Sequence, residues 1–350
     1  MGSSSHRHGG ADPVHTTGDS SEFSTRIEPY RRELQLHCYR LLGSLEDAED
    51  LVQETMLRAW RHHDTFGGRA TLRTWLYTIA TNACLDILKT RQPRTLPAAA
   101  FPVSGPRTPI APPPTESIWL EPCPDLWLAE ATDCPEARYS RRESVSLAFL
   151  AAIQLLPPRQ RAILLLSDVL DWHAREIARL LLTTVSAVNS ALHRARVTLE
   201  ANYHSEQQAR MRLDSTDGAT SELLRRYVTA WETDDIDGLV ALLKEDGTMS
   251  MPPSPSWVRG REAIRAFLSA TAFGEMRSHW HLYRTAANGQ PAFAVYRADA
   301  SHGPRRAFGI QLVAVQGSAA DSLIADVTTF IIPGLFTAFG FPHELPGATG

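Results

Sequence analysis

The chain has 350 residues, 43% of them hydrophobic, and a formal net charge of −4. This length fits two or three domains with packed cores, and the slightly acidic balance excludes a globally basic nucleic-acid binder, so DNA binding would depend on local patches. No run of about 18 apolar residues that could cross a membrane is present, and no signal peptide opens the chain, so we expect a cytoplasmic protein. None of the four cysteines forms a Cys-x-x-Cys pair, so we expect no metal site and no cofactor, and we expect Cys38 and Cys84 to be core thiols.

Composition and periodicity divide the chain into seven segments. Gly, Ser and His dominate the start, which predicts a disordered tail, and proline is concentrated between two helical blocks. The predicted segments are a disordered tail (1–24), a helical block (25–91), a Pro-rich linker (92–140), a second helical block (141–203), a polar hinge (204–219), a domain of mixed helices and strands (220–341) and a short tail (342–350).

The first helical block contains an amphipathic helix with an acidic face. In LEDAEDLVQETMLRAW, apolar residues recur at helical spacing from Ala48 to Trp60, which predicts that both face inward. The acidic residues fall on the other side. That side is either a solvated surface or a docking face for a basic protein partner, and DNA is disfavoured there because like charges repel.

The following helix reverses the charge. In GGRATLRTWLYTIATNACLDILKTRQPR, arginine and lysine are interleaved with Trp75 and Tyr77. Such a mixture suits single-stranded DNA, because rings stack on unpaired bases while cations follow the backbone. The alternative is that Trp75 is simply a core residue.

A helix-turn-helix is predicted in DWHAREIARLLLTTVSAVNSALHRARVTL. Its two helices cover roughly 173–182 and 185–201, with Thr184 as a plausible N-cap of the second. The second helix presents polar side chains to a groove, and Arg194 and Arg196 would add phosphate contacts. The alternative is a plain helical hairpin with a solvated face.

The C-terminal third predicts an α+β cone. Helical patterns are followed by four alternating segments, which are typical of a curved antiparallel sheet with a turn at Asn288 and Gly289. His279 and His281 share one strand face and, with Tyr296, are candidates for lining the cavity of the cone.

In this order, the motifs resemble an extracytoplasmic-function (ECF) sigma factor of the sigma-70 family. EDAEDLVQETMLRAW and LRTWLYTIATNACLDILK resemble conserved region 2, and LLPPRQRAILLLSDVLDWHAREIARLLLTTVSAVNSALHRARVTL resembles region 4. WLEPCPD (119–125) and the C-terminal pattern resemble the SigG-type subgroup, which carries a SnoaL-like, or NTF2-like, domain. Leu182 stands where a turn glycine is usual, and His173 where a small capping residue is common. Leucine is costly there if the backbone needs a positive φ.

The resemblance implies a multidomain fold: two all-α modules, the region 2 helical bundle and the region 4 helix-turn-helix, plus the C-terminal α+β cone. It implies core RNA polymerase as a partner, at its β′ clamp helices and β flap, together with promoter DNA. An anti-sigma factor and a small ligand in the cone are candidate further partners, and no membrane is expected.

The same resemblance implies roles for individual residues, as follows. Core polymerase would be bound by Asp47, Asp50, Gln53 and Glu54. The −10 element would be bound and melted by Arg69, Arg73, Trp75, Tyr77, Asn82, Lys89 and Arg91. The −35 element would be read by Thr184, Ser186, Asn189, Ser190, His193, Arg194 and Arg196.

The resemblance further implies regulation in cis by the C-terminal domain, and FGFPHELP (339–346) is apolar enough to dock on the sigma modules. One alternative is a SnoaL-like enzyme, an isomerase or hydrolase of a small molecule, fused to a helical DNA-binding module. Ketosteroid-isomerase relatives place a base where EDGTMSMPP has Met251, and a thioether cannot abstract a proton. A one-component repressor is a third reading, but it would need a dimerisation helix that is not evident here.

Overall fold

The computed structural model describes residues 17–66, 70–105, 108–114, 118–129, 144–202, 218–274, 279–300, 303–317 and 321–347. A helix already begins at Thr17, so the predicted disordered tail is wrong for residues 17–24. Nearly all of the predicted hinge and the end of the predicted linker lie outside the described residues. No helix within the described residues is both long and apolar enough to cross a membrane.

The first helical module is a compact bundle. Its helices are α1 (Thr17–Ile27), α2 (Arg31–Leu42), α3 (Leu45–Arg61) and α4 (Leu72–Ile87). The Ser44 side chain caps α3 by accepting from the Asp47 amide at 3.3 Å. Cys38 and Cys84 are fully buried in the core, as predicted.

Trp60 corrects the predicted inward face of α3. Ala48 is fully buried, but Trp60 is 44% exposed. Successive helical residues are rotated by about 100°, so Trp60 lies at the edge of the apolar stripe, away from Ala59. The sequence pattern therefore predicted the helix and its buried face correctly, except at Trp60.

The linker is ordered where it is described. It contains two short helices, α5 (Pro97–Ala100) and α6 (Leu126–Ala129). Thr95 forms a β-bridge with Trp119, and Trp119, Leu120 and Cys123 are almost completely buried. This part of the Pro-rich linker is therefore an integral part of the fold, because its buried apolar side chains pack into the protein.

The second helical module contains the helix-turn-helix. Its helices are α7 (Leu147–Gln154), α8 (Pro158–Leu164), α9 (Ala174–Leu180) and α10 (Val185–Asn202), and a π-helical turn (Leu165–Val169) extends α8. Thr184 caps α10, accepting from the Ala187 amide at 3.1 Å. Leu182, in the turn, has φ 51° and is 92% exposed, so the chain does adopt the conformation that favours glycine there.

The C-terminal domain has the predicted α+β architecture. Its helices are α11 (Gly218–Glu232), α12 (Ile236–Ala241), α13 (Arg261–Ala270) and α14 (Leu335–Ala338). Its strands are β1 (Leu243–Ser250), β2 (Trp257–Arg259), β3 (His279–Ala287), β4 (Gln290–Ala298), β5 (Arg305–Gln316), β6 (Leu323–Phe330) and β7 (Glu344–Leu345).

The sheet order is β2-β1-β6-β5-β4-β3, and β7 pairs with β5. The pairs are antiparallel except β1 with β6, which run parallel. The predicted short tail (342–350) is therefore wrong for β7, which is part of the sheet.

The two faces of the sheet have different neighbours. One face, with Trp280 and Phe293, packs against α11 and α13 in a core of its own. The other, which we call the outer face, carries Tyr296 and Leu312 and shares one continuous core with both helical modules and the linker. The three parts of the chain are thus packed as one body.

The pH dependence of stability should reveal the buried His37 of α2. Its Nε2 lies 2.9 Å from Thr81 Oγ1, and burial lowers its pKa from 6.5 to about 3, with Arg40 and Arg73 adding to the effect. Below pH 6.5, His37 therefore binds a proton in the unfolded chain but not in the folded chain. Stability is consequently lost as the pH falls through 6.5. Between pH 7 and pH 5 this costs about 2 kcal/mol. Urea denaturation should show that the His37→Gln variant loses less stability over this interval, and parallel pH curves for the two proteins would contradict the assignment.

Candidate polymerase and promoter interfaces

The outer side of α3 carries the predicted polymerase-binding residues. Asp50 and Gln53 are exposed, and Glu54 is paired with Arg58 at 2.6 Å. Asp47 is more enclosed and pairs with Arg91 and with Arg94, the latter at 2.8 Å. Burial raises the pKa of Asp47, but hydrogen bonds from the two arginines outweigh it and leave that pKa lowered. Asp50 and Gln53 are therefore the more accessible members of the set.

Two large apolar side chains on the same side were missed by the sequence analysis. Leu57 is 48% exposed and Trp60 44% exposed, next to the acidic residues. Exposed apolar groups rimmed by polar ones are typical of protein-binding surfaces. Leu57 lies four residues after Gln53 and therefore on the same side of the helix. A helical wheel could have placed Leu57 on this surface from the sequence alone.

The predicted −10 residues in and next to α4 are only partly accessible. Asn82 and Lys89 are exposed, although Lys89 pairs with Asp86 at 2.7 Å. Arg73 pairs with Glu33 at 2.9 Å, and Arg91 pairs with Asp47. Arg69 lies outside the described residues.

The two aromatic candidates of α4 lie inward. Trp75 is half-buried, with its ring 5.2 Å from Phe66. Tyr77 is 1% exposed, between His37 at 5.0 Å and Trp172 of the second module at 5.6 Å. Burial raises the pKa of Tyr77. A DNA base cannot reach Tyr77 in this arrangement, so its predicted role does not fit the structure as it stands.

The predicted −35 residues form an exposed surface on and just before α10. Ser186, Asn189, Ser190 and His193 repeat at helical spacing and share one side of the helix. The structure exposes all seven predicted residues, which also include Thr184, Arg194 and Arg196. Arg196 is engaged by Asp168 through two hydrogen bonds of 3.0 and 2.7 Å, which raise its pKa. An exposed helix of this kind fits the major groove of DNA.

Direct contacts hold the two helical modules together. The guanidinium of Arg161 in α8 is 1% exposed and donates to the carbonyl oxygen of Leu41 in α2 at 2.5 Å. It also donates to the side chain of Gln154 at 2.7 Å, and burial lowers its pKa to about 10. Arg40 of α2 donates to Ser144 Oγ at 2.9 Å. These buried bonds, with the Tyr77–Trp172 contact, fix the modules side by side.

The β3–β4 turn of the C-terminal domain joins all three parts of the chain. Asn288 is fully buried at φ 55°, and its Nδ2 donates to Tyr39 Oη at 2.9 Å and to the Val145 carbonyl at 2.6 Å. Its Oδ1 accepts from the Cys123 amide at 2.8 Å, and its own amide donates to the Cys123 carbonyl at 2.9 Å. One side chain therefore binds the first module, the linker and the second module.

The linker also contacts α3. The Glu121 carboxylate accepts from the Leu45 amide at 2.7 Å and from Ser44 Oγ at 3.1 Å, at the N-terminus of α3. Burial raises the pKa of Glu121, and Arg94, 3.5 Å away, opposes that shift. Residues of one short linker segment thus contact both the 288–289 turn and the N-terminus of α3.

The residues predicted to line the cone lie on the outer face of the sheet, away from α11 and α13. His281 and Tyr296 are paired across β3 and β4 on the outer face, and His279 shares their side of β3. Tyr296 is fully buried and donates its hydroxyl to the Pro342 carbonyl at 2.7 Å. Burial, then Arg305 and His279, lower the pKa of His281. The assignment of these three residues to the interior of the cone is wrong, because strand alternation was read without knowing which face the helices cover.

Aromatic rings pack the helix-covered side instead. The ring centroids of Trp231 and Trp280 are 5.7 Å apart, and those of Trp280 and Phe308 are 4.9 Å apart. Met251 packs against this core. The FGFPHELP segment, which the sequence analysis expected to dock on the sigma modules, docks on the sheet of its own domain, where β7 pairs with β5 and Phe339 is buried near the fully buried Phe336.

The fold and these surfaces define a helical, helix-turn-helix DNA-recognition protein with an appended α+β domain. Residues 26–94 match the Sigma-70 region 2 family, 146–199 match Sigma-70 region 4, and 224–326 match the SnoaL-like domain family. The chain is 44% identical over 336 residues to the ECF RNA polymerase sigma factor SigG of Mycobacterium tuberculosis, covering 93% of this chain and 85% of that protein. The chain therefore belongs to the ECF RNA polymerase sigma factors.

Two further comparisons concern SigJ, another ECF sigma factor of M. tuberculosis. It is 29% identical to this chain over 250 residues, which cover 70% of this chain and 71% of SigJ. The crystal structure of SigJ superposes with a TM-score of 0.52 at 23% identity, covering 92% of this chain and 99% of SigJ. The arrangement of two sigma modules and a C-terminal α+β domain is thus shared with SigJ at the level of the fold.

Proposed function

We propose that this sigma factor binds core RNA polymerase through the outer side of α3, at Asp50, Gln53, Leu57 and Trp60. In the same proposal, Asn82 of α4 and Lys89, just after the end of α4, meet the −10 element, and α10 reads the −35 element. The exposed α10, capped by Thr184, is the observation that carries the proposal, since it presents polar side chains for base edges and Arg194 for a phosphate. The protein would act in the cytoplasm, where the polymerase is.

The C-terminal domain restrains this activity in cis. The position numbers of the −10 and −35 elements place them about 25 base pairs apart. That separation is roughly 85 Å at 3.4 Å per base pair. The two DNA-reading modules are in direct contact here, through Arg161 and Leu41 and through Tyr77 and Trp172. Two modules packed against each other in this way cannot reach both elements. The modules must therefore separate before the protein binds a promoter.

The 288–289 turn is the part of the C-terminal domain that opposes opening. Asn288 binds Tyr39 of the first module and Val145 of the second, so separating the modules breaks at least one of these buried bonds. Buried hydrogen bonds contribute about 1 kcal/mol each, and more is lost if a partner stays unsatisfied. Inhibition in cis is therefore the direction that the geometry favours, and a separate anti-sigma factor would act in addition to it.

The enzyme reading has less support. Met251 occupies the position where ketosteroid-isomerase relatives place a base, and His279, His281 and Tyr296 lie on the outer face of the sheet. Named relatives are sigma factors rather than enzymes.

Reversing the charge of Asp50 should weaken binding to core polymerase. Asp50→Lys places a cation where a basic partner is expected, and the affinity should fall by about tenfold or more, equivalent to about 1.4 kcal/mol. Fluorescence anisotropy with purified core enzyme measures this change. Glu262→Lys, an 87% exposed side chain of the C-terminal domain, is the matched control. Equal losses in both variants, or none in either, would show that α3 is not the docking helix.

Two substitutions on α10 should separate phosphate contact from base reading. In holoenzyme, Arg194→Ala should weaken binding to every promoter fragment and reduce the slope of log affinity against log salt by about 1. Asn189→Ala should change the ranking of −35 sequences. Binding titrations at several salt concentrations test both, and a changed sequence ranking in Arg194→Ala with an unchanged salt slope would overturn the assignment.

Asn288→Gly should release the restraint. Glycine keeps the positive φ of the turn and removes only the amide, so run-off transcription with core polymerase should rise by about tenfold. Asp234→Gly, another residue at positive φ, is the control and should leave transcription unchanged. Asn288→Asp, which keeps the acceptor for Cys123 but loses the donor, should behave like Asn288→Gly. Transcription at or below the wild-type level in both folded Asn288 variants would rule out inhibition by this turn.

A further inference from the structure

An apolar side chain stands at the beginning of the helix proposed to read DNA. Val185 is the first residue of α10 and is 39% exposed. Further along the same helix, Val188 and Ala195 are fully buried in the core. Single exposed apolar residues are common on protein surfaces, so the exposure of Val185 indicates nothing by itself. Its position on α10 gives it a meaning.

Val185 lies on the side of α10 that carries the proposed base-reading residues. It precedes Asn189 by four residues, and residues four apart lie one above the other on the same side of a helix. In helix-turn-helix proteins, the N-terminal residues of the second helix are the ones that contact base edges in the major groove. In the proposed promoter complex, Val185 is therefore next to the bases.

The turn before α10 holds Val185 in a fixed place. Thr184 Oγ1 accepts from the Ala187 amide at 3.1 Å, and the Thr184 carbonyl oxygen accepts from the Val188 amide at 3.0 Å. Valine is β-branched and has one strongly preferred side-chain rotamer in a helix. The two methyl groups of Val185 are thus already oriented before binding, so that a contact with them costs little conformational entropy.

The charges along α10 allow Val185 to approach DNA closely. No aspartate or glutamate occurs between Glu176 and Glu200. Asp168 does contact α10, but it does so at Arg196, eleven residues after Val185. The N-terminal half of α10 therefore brings no carboxylate of its own toward the phosphates, which would be repelled by a like charge.

Thymine is the base that an apolar side chain can recognise. In the major groove, thymine presents a methyl group on C5 in addition to its hydrogen-bonding groups, and the other three bases present no methyl group there. Contact between this methyl group and a valine removes apolar surface of both from water. A cytosine in the same place offers no such contact.

We propose that Val185 contacts the C5 methyl group of a thymine in the −35 element and thereby contributes to the choice of promoter. The proposal rests on the proposed reading of the −35 element by α10, and it adds an apolar contact to the polar contacts of Asn189 and Ser190. Burial of one methyl group corresponds to a change in affinity of about fourfold. Val185 therefore changes the ranking of promoters and does not decide whether the protein binds DNA at all.

Replacement of thymine by deoxyuridine tests the contact, because it removes the C5 methyl group and leaves the hydrogen-bonding groups in place. The probes are fragments with the tightest-binding −35 sequence that the holoenzyme selects from a randomised library, in which each thymine on either strand is replaced in turn. Fluorescence anisotropy with holoenzyme should show that one replacement lowers the affinity by about fourfold. The same replacement should leave the affinity of Val185→Ala unchanged, and Val185→Ile, which keeps the branched apolar side chain, should respond as the unsubstituted protein does.

Val197→Ala is the matched control. Val197 is 52% exposed on the same helix but lies twelve residues, or about 18 Å, further from its N-terminus, so this variant should keep the fourfold effect. Both valines are exposed and alanine is the better helix former, so both alanine variants should fold. A selected sequence in which no thymine replacement lowers the affinity would overturn the proposal. An undiminished effect in Val185→Ala would also overturn it, since another group would then contact the methyl.

Scrambling the whole −35 element separates this proposal from the proposed function. If scrambling leaves the affinity of the holoenzyme unchanged, α10 does not read the element and both proposals fail. If scrambling weakens binding but no single thymine replacement does, the reading of the −35 element stands and the role of Val185 is rejected.

Discussion

The structure depends on the buried amide of Asn288. A polar group taken out of water must be hydrogen-bonded or it costs free energy, and this amide satisfies its needs only with groups from other parts of the chain. Tyr39, Cys123 and Val145 must all be in place at once. The penalty for leaving Asn288 unsatisfied therefore links the position of the C-terminal domain to the relative position of the two sigma modules.

The linker connects the 288–289 turn with α3, the helix that we propose binds polymerase. Cys123 is held by Asn288, and Glu121, two residues earlier, supplies acceptors to the N-terminus of α3. The N-terminal amides of a helix have no intrahelical partners, so a carboxylate placed there stabilises the helix. Movement of the 288–289 turn is thereby coupled to the environment of α3 through fewer than ten residues.

Local sequence patterns predicted the helices and strands. The predictions that were wrong concern side chains whose positions depend on long-range contacts. The spacing around Thr184 predicted the helix-turn-helix, and alternating side chains predicted strands β3 to β6. Those signals extend over a few residues. The outward position of Trp60, the burial of Tyr77 and the outer-face location of Tyr296 depend on which surfaces meet in three dimensions. Asn288 and Tyr39 are 249 positions apart, and no periodicity in either segment records their contact.

The outer face of the sheet has a consequence for how the protein is made. This face is covered by helices encoded earlier in the chain, so a ribosome releases the two sigma modules before it has completed the domain that closes over them. Domains generally fold as they emerge, and about 130 residues take on the order of ten seconds to translate. During that interval each nascent chain has both sigma modules without the C-terminal domain that we propose restrains them, so nascent and finished chains would differ in their access to polymerase.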